Sequence, residues 1–377
     1  MLSLMSKVPN WNDKNYSFQD QEKFISDLVN KFNKDGCGVI QSINQPGKLK
    51  RIHGNKSFEH KKFKLDYSND HCMKISPLSK GINKRWSKIK PLINNIYTNT
   101  EKNIEKIKND PTNDKIKYIE KMYNEMIKHY ESKQEVSAAF NNEYYIKTTR
   151  DDKNVINLQN ICNYGLTDKL QEILGTPIYG ITTPQSIINS TFYTFNNHVE
   201  DMLLGSMSEL LIGAKLWFCV PVYDEAKQIF LNIINSSTKE HKNCNAIFTQ
   251  KLIFWKLPNL LSLLSKYNLK AYWHLQVEGE IMVTMPGTWH WGFSLTTCYA
   301  RAINWGMIEP HQLKLTILSI QEQEKHIESK TCNCPGDEIA EMFICKLDNI
   351  KALLSSLYFF YYYIVLFILF SVFILYL

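Results

Sequence analysis

Residues 190–200, STFYTFNNHVE, contain the pattern that decides the fold of this 377-residue chain. Aromatic and β-branched residues dominate its first seven positions, which predicts a strand over residues 190–196. His198 and Glu200 follow directly. Residues two apart in an extended strand project from the same face, and two ligands of one metal ion need that geometry. The stretch therefore predicts a metal-binding strand.

The same spacing between a histidine and a carboxylate occurs twice more, at His129 and Glu131 and at His326 and Glu328. The spacing alone is thus a weak signal. Both of these pairs lie in charged stretches of helical character, where positions two apart face different directions. The pair at His198 is the better candidate, and it needs a third ligand from elsewhere in the chain.

His290 is the best candidate for that third ligand. It follows the strand pattern EIMVTM and the turn Pro286-Gly287. Two imidazoles and one carboxylate form the facial triad of non-haem Fe(II) oxygenases, which leaves coordination positions open for a cosubstrate and O₂. A zinc hydrolase with the same donors is the competing interpretation, although the sequence has no HExxH motif. The residue types and their spacing alone do not decide between an iron oxygenase and a zinc hydrolase.

Short apolar runs between residues 146 and 307 predict a mainly β core. They lie between turn signals without regular helices, which favours a sandwich or a barrel. The predicted strands cover residues 190–196, 215–222, 280–285 and 299–305. Outside this region we predict helices over residues 17–33 and 309–330, and a strand over residues 37–40.

Residues 46–140 are basic and are predicted to be mostly helical. Residues 48–134 contain 21 Lys and Arg against 10 Asp and Glu, whereas the whole chain has a net charge of +7. Such a segment contacts nucleic acid, anionic lipid or an acidic partner. However, charges of both signs alternate at helical spacing over residues 101–133, as on a solvated helix. Both interpretations stay open.

Residues 352–377 are 26 consecutive uncharged residues, and ten of them are Phe or Tyr. A helix of this length would span about 39 Å, which exceeds the roughly 30 Å of bilayer hydrocarbon. Tyrosines near both ends suit the two membrane interfaces. We therefore predict a C-terminal transmembrane helix that anchors the chain in the nuclear envelope or endoplasmic reticulum membrane. A buried core helix is the alternative.

Ordered blocks of this sequence resemble the JmjC (Jumonji) histone lysine demethylases. The blocks are HVEDM at residues 198–202, GAKLW at 213–217 and PGTWHWGF at 286–293, with Gly180 upstream at the family's spacing. The resemblance implies a double-stranded β-helix of the cupin or jelly-roll type over residues 141–310, surrounded by α-helices. It also implies Fe(II), 2-oxoglutarate and O₂, with iron held by His198, Glu200 and His290.

The resemblance also implies roles for residues around the metal. Lys215 would hold the distal carboxylate of 2-oxoglutarate. Further cosubstrate contacts are implied for Phe195, Ser208 and a tyrosine, either Tyr145 or its neighbour Tyr144. Substrate contacts are implied for Gly180, Lys251, Ala302 and Asn304. Three positions depart from the family's pattern, because Ser208 lacks an amide donor, Ile187 replaces a tyrosine and Ala302 replaces a serine.

The trimethyl-lysine branch of this family carries a zinc site of three cysteines and one histidine. Cys332 and Cys334 reproduce its Cys-x-Cys pair among the C-terminal helices predicted over residues 311–350, and Cys244 matches the third ligand. Gln250 stands where the family has histidine, and His241 is a conceivable substitute. Nine cysteines without an evident secretory signal favour reduced thiols. The resemblance thus implies zinc with an unassigned fourth ligand.

The function implied by the resemblance is demethylation of a methylated lysine in the histone H3 tail. Hydroxylation of the N-methyl group would release formaldehyde, and the enzyme would act in the nucleus. Residues 1–45 faintly resemble the JmjN region that accompanies such domains. Two alternatives remain: a catalytically weak JmjC scaffold that binds chromatin or a partner at a membrane, and a protein side-chain hydroxylase.

Overall fold

The structure, a computed structural model, describes thirteen stretches of the chain and a few single positions near residues 105 and 360. The stretches are residues 2–5, 7–8, 21–41, 57–66, 72–77, 82–85, 115–132, 136–141, 165–175, 177–178, 180–221, 228–233 and 253–329.

Strands dominate the described residues. In chain order they are β1 Leu2–Leu4, β2 Lys7–Val8, β3 Cys37–Gln41, β4 Ser57–Asp66, β5 Cys72–Pro77, β6 Ile82–Arg85, β7 Val136–Asn141, β8 Gln185–Asn189, β9 Thr194–His198, β10 Gly205–Ile212, β11 Ala214–Val220, β12 Ile253–Trp255, β13 Ala271–Val277, β14 Glu280–Thr284, β15 Trp289–Ser294 and β16 Cys298–Trp305. The helices are α1 Gln21–Phe32, α2 Lys115–Glu131, α3 Leu166–Leu174, α4 Leu257–Lys266 and α5 Pro310–Ser329.

These strands form two sheets that enclose a cavity. The smaller sheet has the order β1-β13-β11-β15-β9, and the larger has the order β12-β5-β4-β7-β8-β16-β10-β14-β3-β2, with β6 beside β4. Side chains from both sheets line one cavity, so the sheets face each other. The predicted mainly β core is confirmed, and its arrangement is consistent with a jelly-roll.

The strand predictions in the core follow from continuous apolar runs. Strand β11, AKLWFCV, is buried at all seven positions because it lies in the middle of its sheet with a partner on each side. Strands β14 and β15 are buried throughout as well. A strand that is buried on both faces of its sheet needs no alternation of polar and apolar residues, which explains why apolar residues dominate these strands.

Two expectations about secondary structure are wrong. Residues 46–140 are not mostly helical where the structure describes them, because β4, β5 and β6 fill much of the first half and β7 ends the segment. Lysine has a low strand propensity, so the many lysines of this segment made it look helical in the sequence. In the structure, pairing with neighbouring strands outweighs that propensity. The strand predicted over residues 190–196 begins only at Thr194, after a turn in which Tyr193 N donates to Ser190 O at 3.1 Å.

The N-terminal helix and strand are confirmed and complete the larger sheet. Strand β3 pairs with β14 along all five of its residues. Helix α1 buries Leu28 and Phe32 against this sheet, in one apolar cluster with Ile281 and Trp305. Gly38 of β3 permits this contact, because a Cβ there would overlap the Phe32 ring. The predicted helix over residues 309–330 is likewise confirmed as α5.

The predicted membrane helix lies almost entirely outside the described residues. Within the part of the chain that the structure does describe, no helix has both the length and the apolar character needed to cross a bilayer. The segment at residues 352–377 therefore stays a prediction.

Candidate active site

Three metal-binding side chains meet where β9 and β15 lie side by side. His198 ends β9 and pairs with His290 of β15. Glu200 follows in extended backbone, with φ −68° and ψ 155°. Its Oε1 lies 3.2 Å from His290 Nε2 and 4.0 Å from His198 Nε2, and one ligand atom from each residue lies within 4.8 Å of the others. The structure thus brings the three predicted ligands together with the spacing of donors around one metal ion.

Backbone carbonyl groups orient both imidazoles. Nδ1 of His198 lies 2.6 Å from the carbonyl oxygen of Asn196, and Nδ1 of His290 lies 3.0 Å from that of Thr288. Because a carbonyl oxygen only accepts, each Nδ1 donates its proton. In a neutral ring Nε2 then carries the lone pair, and such a second hydrogen bond is typical of metal-ligating histidines. The donor set suits a transition metal such as iron.

Neighbouring polar groups hold Glu200 as a carboxylate. Burial raises the pKa of its carboxyl group, but the hydrogen bond and charge of His290 lower it, as do the charge of His198 and the hydroxyl of Ser206. The net pKa is well below the usual range of glutamate, so the group is ionised at neutral pH. The amide of Asn304, which the resemblance assigns to substrate, donates to Glu200 Oε2 at 3.3 Å and so fixes the second oxygen of this ligand.

A β-bulge in β9 aims two side chains into the site. His198 pairs with His290 and Phe195 pairs with Gly292, so two residues of β9 lie opposite one residue of β15. The extra residue shifts the alternation of side chains by one. As a result Phe195 and His198, three positions apart, both line the cavity. Gly292 makes room for this arrangement, since a Cβ there would overlap the Phe195 ring and the Leu216 carbonyl oxygen.

A cavity of about 330 Å³ extends from the metal ligands to Lys215. His290 pairs with Cys219 of β11, and Lys215 lies four residues before Cys219 on that strand. Lys215 is therefore about 13 Å along the strand from the metal ligands. It is buried, and burial lowers the pKa of its ammonium group. Its Nζ lies 5.9 Å from the centre of the Phe195 ring, and no carboxylate of the described residues forms a salt bridge with it. A buried cation needs an anion, so this end of the cavity suits one.

The structure describes six of the other predicted site residues and places all six on the wall of this cavity. These are Gly180, Ile187, Phe195, Ser208, Ala302 and Asn304. The predicted residues that lie outside the described part of the chain are Tyr144, Tyr145, Lys251 and the zinc candidates His241, Cys244, Gln250, Cys332 and Cys334.

Sequence reasoning missed several cavity residues. Trp217 stacks on His290 with ring centres 6.0 Å apart, and its indole N–H donates to Gln276 Oε1 at 2.7 Å. Its position two residues after Lys215 on a strand was a usable signal, because the two side chains share a face. Tyr193 and Asn189 also line the cavity and were not singled out.

Comparison with known proteins identifies the central part of the chain. Residues 186–305 match the family model described as "JmjC domain, hydroxylase". Lysine-specific demethylase JMJ706 of Oryza sativa subsp. japonica is 29% identical over 159 residues, which is 40% of this chain and 18% of that protein. Lysine-specific demethylase 4B of Mus musculus is 30% identical over 132 residues, which is 34% of this chain and 12% of that protein.

Residues 186–305 therefore match a JmjC domain, and the chain is homologous to the two lysine-specific demethylases over 34–40% of its length. The matched region contains the metal ligands, Lys215 and most of the cavity wall. The chain spans less than a fifth of the length of these curated relatives. The likeness is thus confined to a small part of each relative.

Proposed function

We propose that this chain is an Fe(II)- and 2-oxoglutarate-dependent oxygenase that demethylates methyl-lysine in the histone H3 tail. One observation carries the proposal: the His198–Glu200–His290 group and Lys215 line a single cavity of a JmjC domain, with the cation at the end away from the metal ligands. The relatives' names support lysine demethylation, and the histone H3 tail is taken from the family resemblance of the sequence.

The residues fit the implied cofactors. The two imidazoles and the carboxylate would hold iron, and Lys215 would bind the distal carboxylate of 2-oxoglutarate. Together with O₂, the bound iron and cosubstrate supply the oxidising power to hydroxylate a C–H bond. The chain's own contribution is orientation: Asn304 fixes Glu200, two carbonyl groups fix the imidazoles, and the Trp217 ring packs against His290.

The test measures succinate and formaldehyde release from 2-oxoglutarate and a methylated H3 peptide, with purified full chain and added Fe(II). Wild type should release both products. His198→Ala and Glu200→Ala should release neither, because two remaining ligands cannot hold the metal in place. Glu131→Ala is the matched control, since it removes the exposed carboxylate of a second His-x-Glu pair, on α2, and should retain full turnover. Iron content and turnover at the wild-type level in either ligand variant would refute the proposal.

A second candidate function is hydroxylation of a protein side chain without demethylation. Ile187 and Ala302 favour it, because they give the cavity wall apolar groups at two positions where the family resemblance implies hydroxyls. The same assay separates the two functions. Demethylation releases formaldehyde and lowers the peptide mass by one CH₂ unit, whereas stable hydroxylation adds one oxygen and releases no formaldehyde.

A further inference from the structure

We propose that Thr288 is a positioning residue for the metal ligand His290, and that its hydroxyl group acts by bonding to the main chain of Gly36 in the N-terminal segment. The inference rests on the metal site of the proposed function and adds a second layer of support behind it. It concerns residues behind the cavity wall, since neither Thr288 nor Gly36 lines the cavity.

His290 takes its orientation from a carbonyl group that lies in a turn. Its Nδ1 donates to Thr288 O at 3.0 Å. Strand β15 begins only at Trp289, and its pairing with β11 ends there, so Thr288 lies outside that ladder. The turn before it contains Pro286 and Gly287, and Gly287 has φ 71°, a conformation that glycine adopts without a steric penalty. The orientation of the Thr288 carbonyl therefore depends on other contacts of this residue.

Two hydrogen bonds hold Thr288 in place. Its N–H donates to Met285 O across the turn at 3.0 Å, and its hydroxyl donates to Gly36 O at 2.8 Å. Gly36 O also accepts the N–H of Met285 at 2.8 Å. Thr288 is 2% exposed, so water does not compete for the hydroxyl bond. Both ends of the turn that precedes β15 are thus tied to one carbonyl group of the N-terminal segment.

Gly36 is itself fixed where the ends of β3, β11 and β15 converge. It has φ 68°, and a Cβ there would lie 2.9 Å from Pro221 Cα and 3.0 Å from the Thr288 hydroxyl. Glycine is thus needed both for the left-handed backbone and for the close approach. On one side of Gly36 the Tyr272 hydroxyl donates to Asp35 Oδ1 at 2.9 Å, and on the other side β3 pairs with β14. The acceptor of the Thr288 hydroxyl is therefore held from both sides.

Loss of the Thr288 hydroxyl should act on the metal site and spare the fold. Gly36 O keeps the Met285 N–H as its donor, so no buried carbonyl group is left unsatisfied. The orientation of a ligating histidine depends on the acceptor of its other ring N–H, and changes in such partners typically lower metal affinity about 10- to 100-fold. Thr288 provides that acceptor. Its bond to Gly36, 252 residues away, makes the N-terminal segment part of the support of the metal site.

The experiment measures the affinity of the metal-free full chain for Mn(II) by calorimetry, so the result does not depend on turnover. Thr288→Val, nearly isosteric, removes the hydroxyl and should weaken Mn(II) binding about tenfold, the lower end of the range for such partners. Thr288→Ser keeps the hydroxyl donor and should bind Mn(II) within about threefold of wild type. The absorption spectrum of the Co(II)-loaded chain, which reports coordination geometry, should change in Thr288→Val and match wild type in Thr288→Ser.

Thr182→Val is the matched control, because it removes the hydroxyl of another buried threonine, which bonds to the main chain of Ile178 in its own turn. It should bind Mn(II) as wild type does. Both valine variants should lower the melting temperature of the metal-free chain to a similar extent. Only Thr288→Val should reduce the rise in melting temperature that Mn(II) produces, because that rise follows metal affinity.

Wild-type Mn(II) affinity in Thr288→Val would overturn the inference and leave the proposed function standing. An equal loss of affinity in Thr182→Val or in Thr288→Ser would overturn it too, because the effect would then not come from the bond to Gly36. If wild type binds no Mn(II) at all, the proposed function fails as well.

Discussion

The orientation of the Glu200 carboxylate determines whether the three candidate metal ligands can bind one ion. One of its oxygens faces the two imidazoles, and the other accepts the amide of Asn304. Hydrogen bonds to a ligating carboxylate fix its orientation, and their loss typically costs 10- to 100-fold in metal affinity. Asn304 therefore acts on the metal through Glu200.

We predict that Asn304→Ala weakens Mn(II) binding about 10- to 100-fold without unfolding the protein. The measurement is metal titration at neutral pH, with circular dichroism to confirm the fold. Gln312→Ala is the control, because this buried amide bonds to Leu203 O and the Thr316 hydroxyl and not to the ligands. Equal metal affinities in wild type and Asn304→Ala would show that Glu200 needs no support.

The His-x-Glu spacing on a predicted strand and a distant third histidine indicated the three candidate ligands, but the spacing alone was a weak signal and the family resemblance supported the choice. Phe195, Ser208 and Lys215 were also predicted, but only through the family resemblance. Tyr193 and Asn189 could not be found in this way, because which residues of two separate sheets line one cavity depends on strand register. No local pattern in the sequence encodes the register with which distant strands pair.

At the scale of secondary structure, the predictions succeeded where burial leaves a strong pattern. Strands β11, β14 and β16 are apolar runs, and α1 shows apolar residues at helical spacing. They failed at β4, β5 and β6, whose lysines hide strands that depend on pairing with their neighbours. The bulge in β9 could not be predicted either, since it is a mismatch between two strands distant in sequence.

Helix α1 provides a test at this scale. Leu28 is fully buried in the cluster that joins α1 to the larger sheet. Leu28→Ala should lower the free energy of unfolding by about 2–5 kcal/mol, through lost burial and the remaining cavity. Urea denaturation measures this. Exposed Lys31 on the same helix is the control, and Lys31→Ala should stay within about 0.5 kcal/mol of wild type. Similar midpoints for both variants would mean that α1 does not stabilise the sheet.

At the scale of the whole molecule, several predictions concern residues outside the described part of the chain. A zinc site at Cys244, Cys332 and Cys334 would join segments about 88 residues apart. Nuclear location, nucleic-acid contact through residues 48–134 and membrane anchoring through residues 352–377 likewise stay predictions.

We predict that the full chain carries about one zinc ion in addition to iron, and that Cys332→Ser removes it. The melting temperature should fall, because the binding energy of a structural zinc contributes to folding. Elemental analysis and thermal denaturation provide the measurements. Buried Cys298, which donates to a backbone carbonyl, is the control, and Cys298→Ser should keep the zinc. Zinc-free wild type and an unchanged melting temperature would identify ordinary thiols.

The pairing of the N-terminal strands sets an order of events during synthesis. β1 pairs with β13, and β3 pairs with β14, across about 240 residues or more of intervening chain. At translation rates of about 5–20 residues per second, these early strands wait on the order of 10–50 s for their partners to leave the ribosome. Meanwhile Cys37, Val39 and Ile40 have no sheet to cover them. The nascent chain therefore exposes these apolar strand residues until β13 and β14 have left the ribosome.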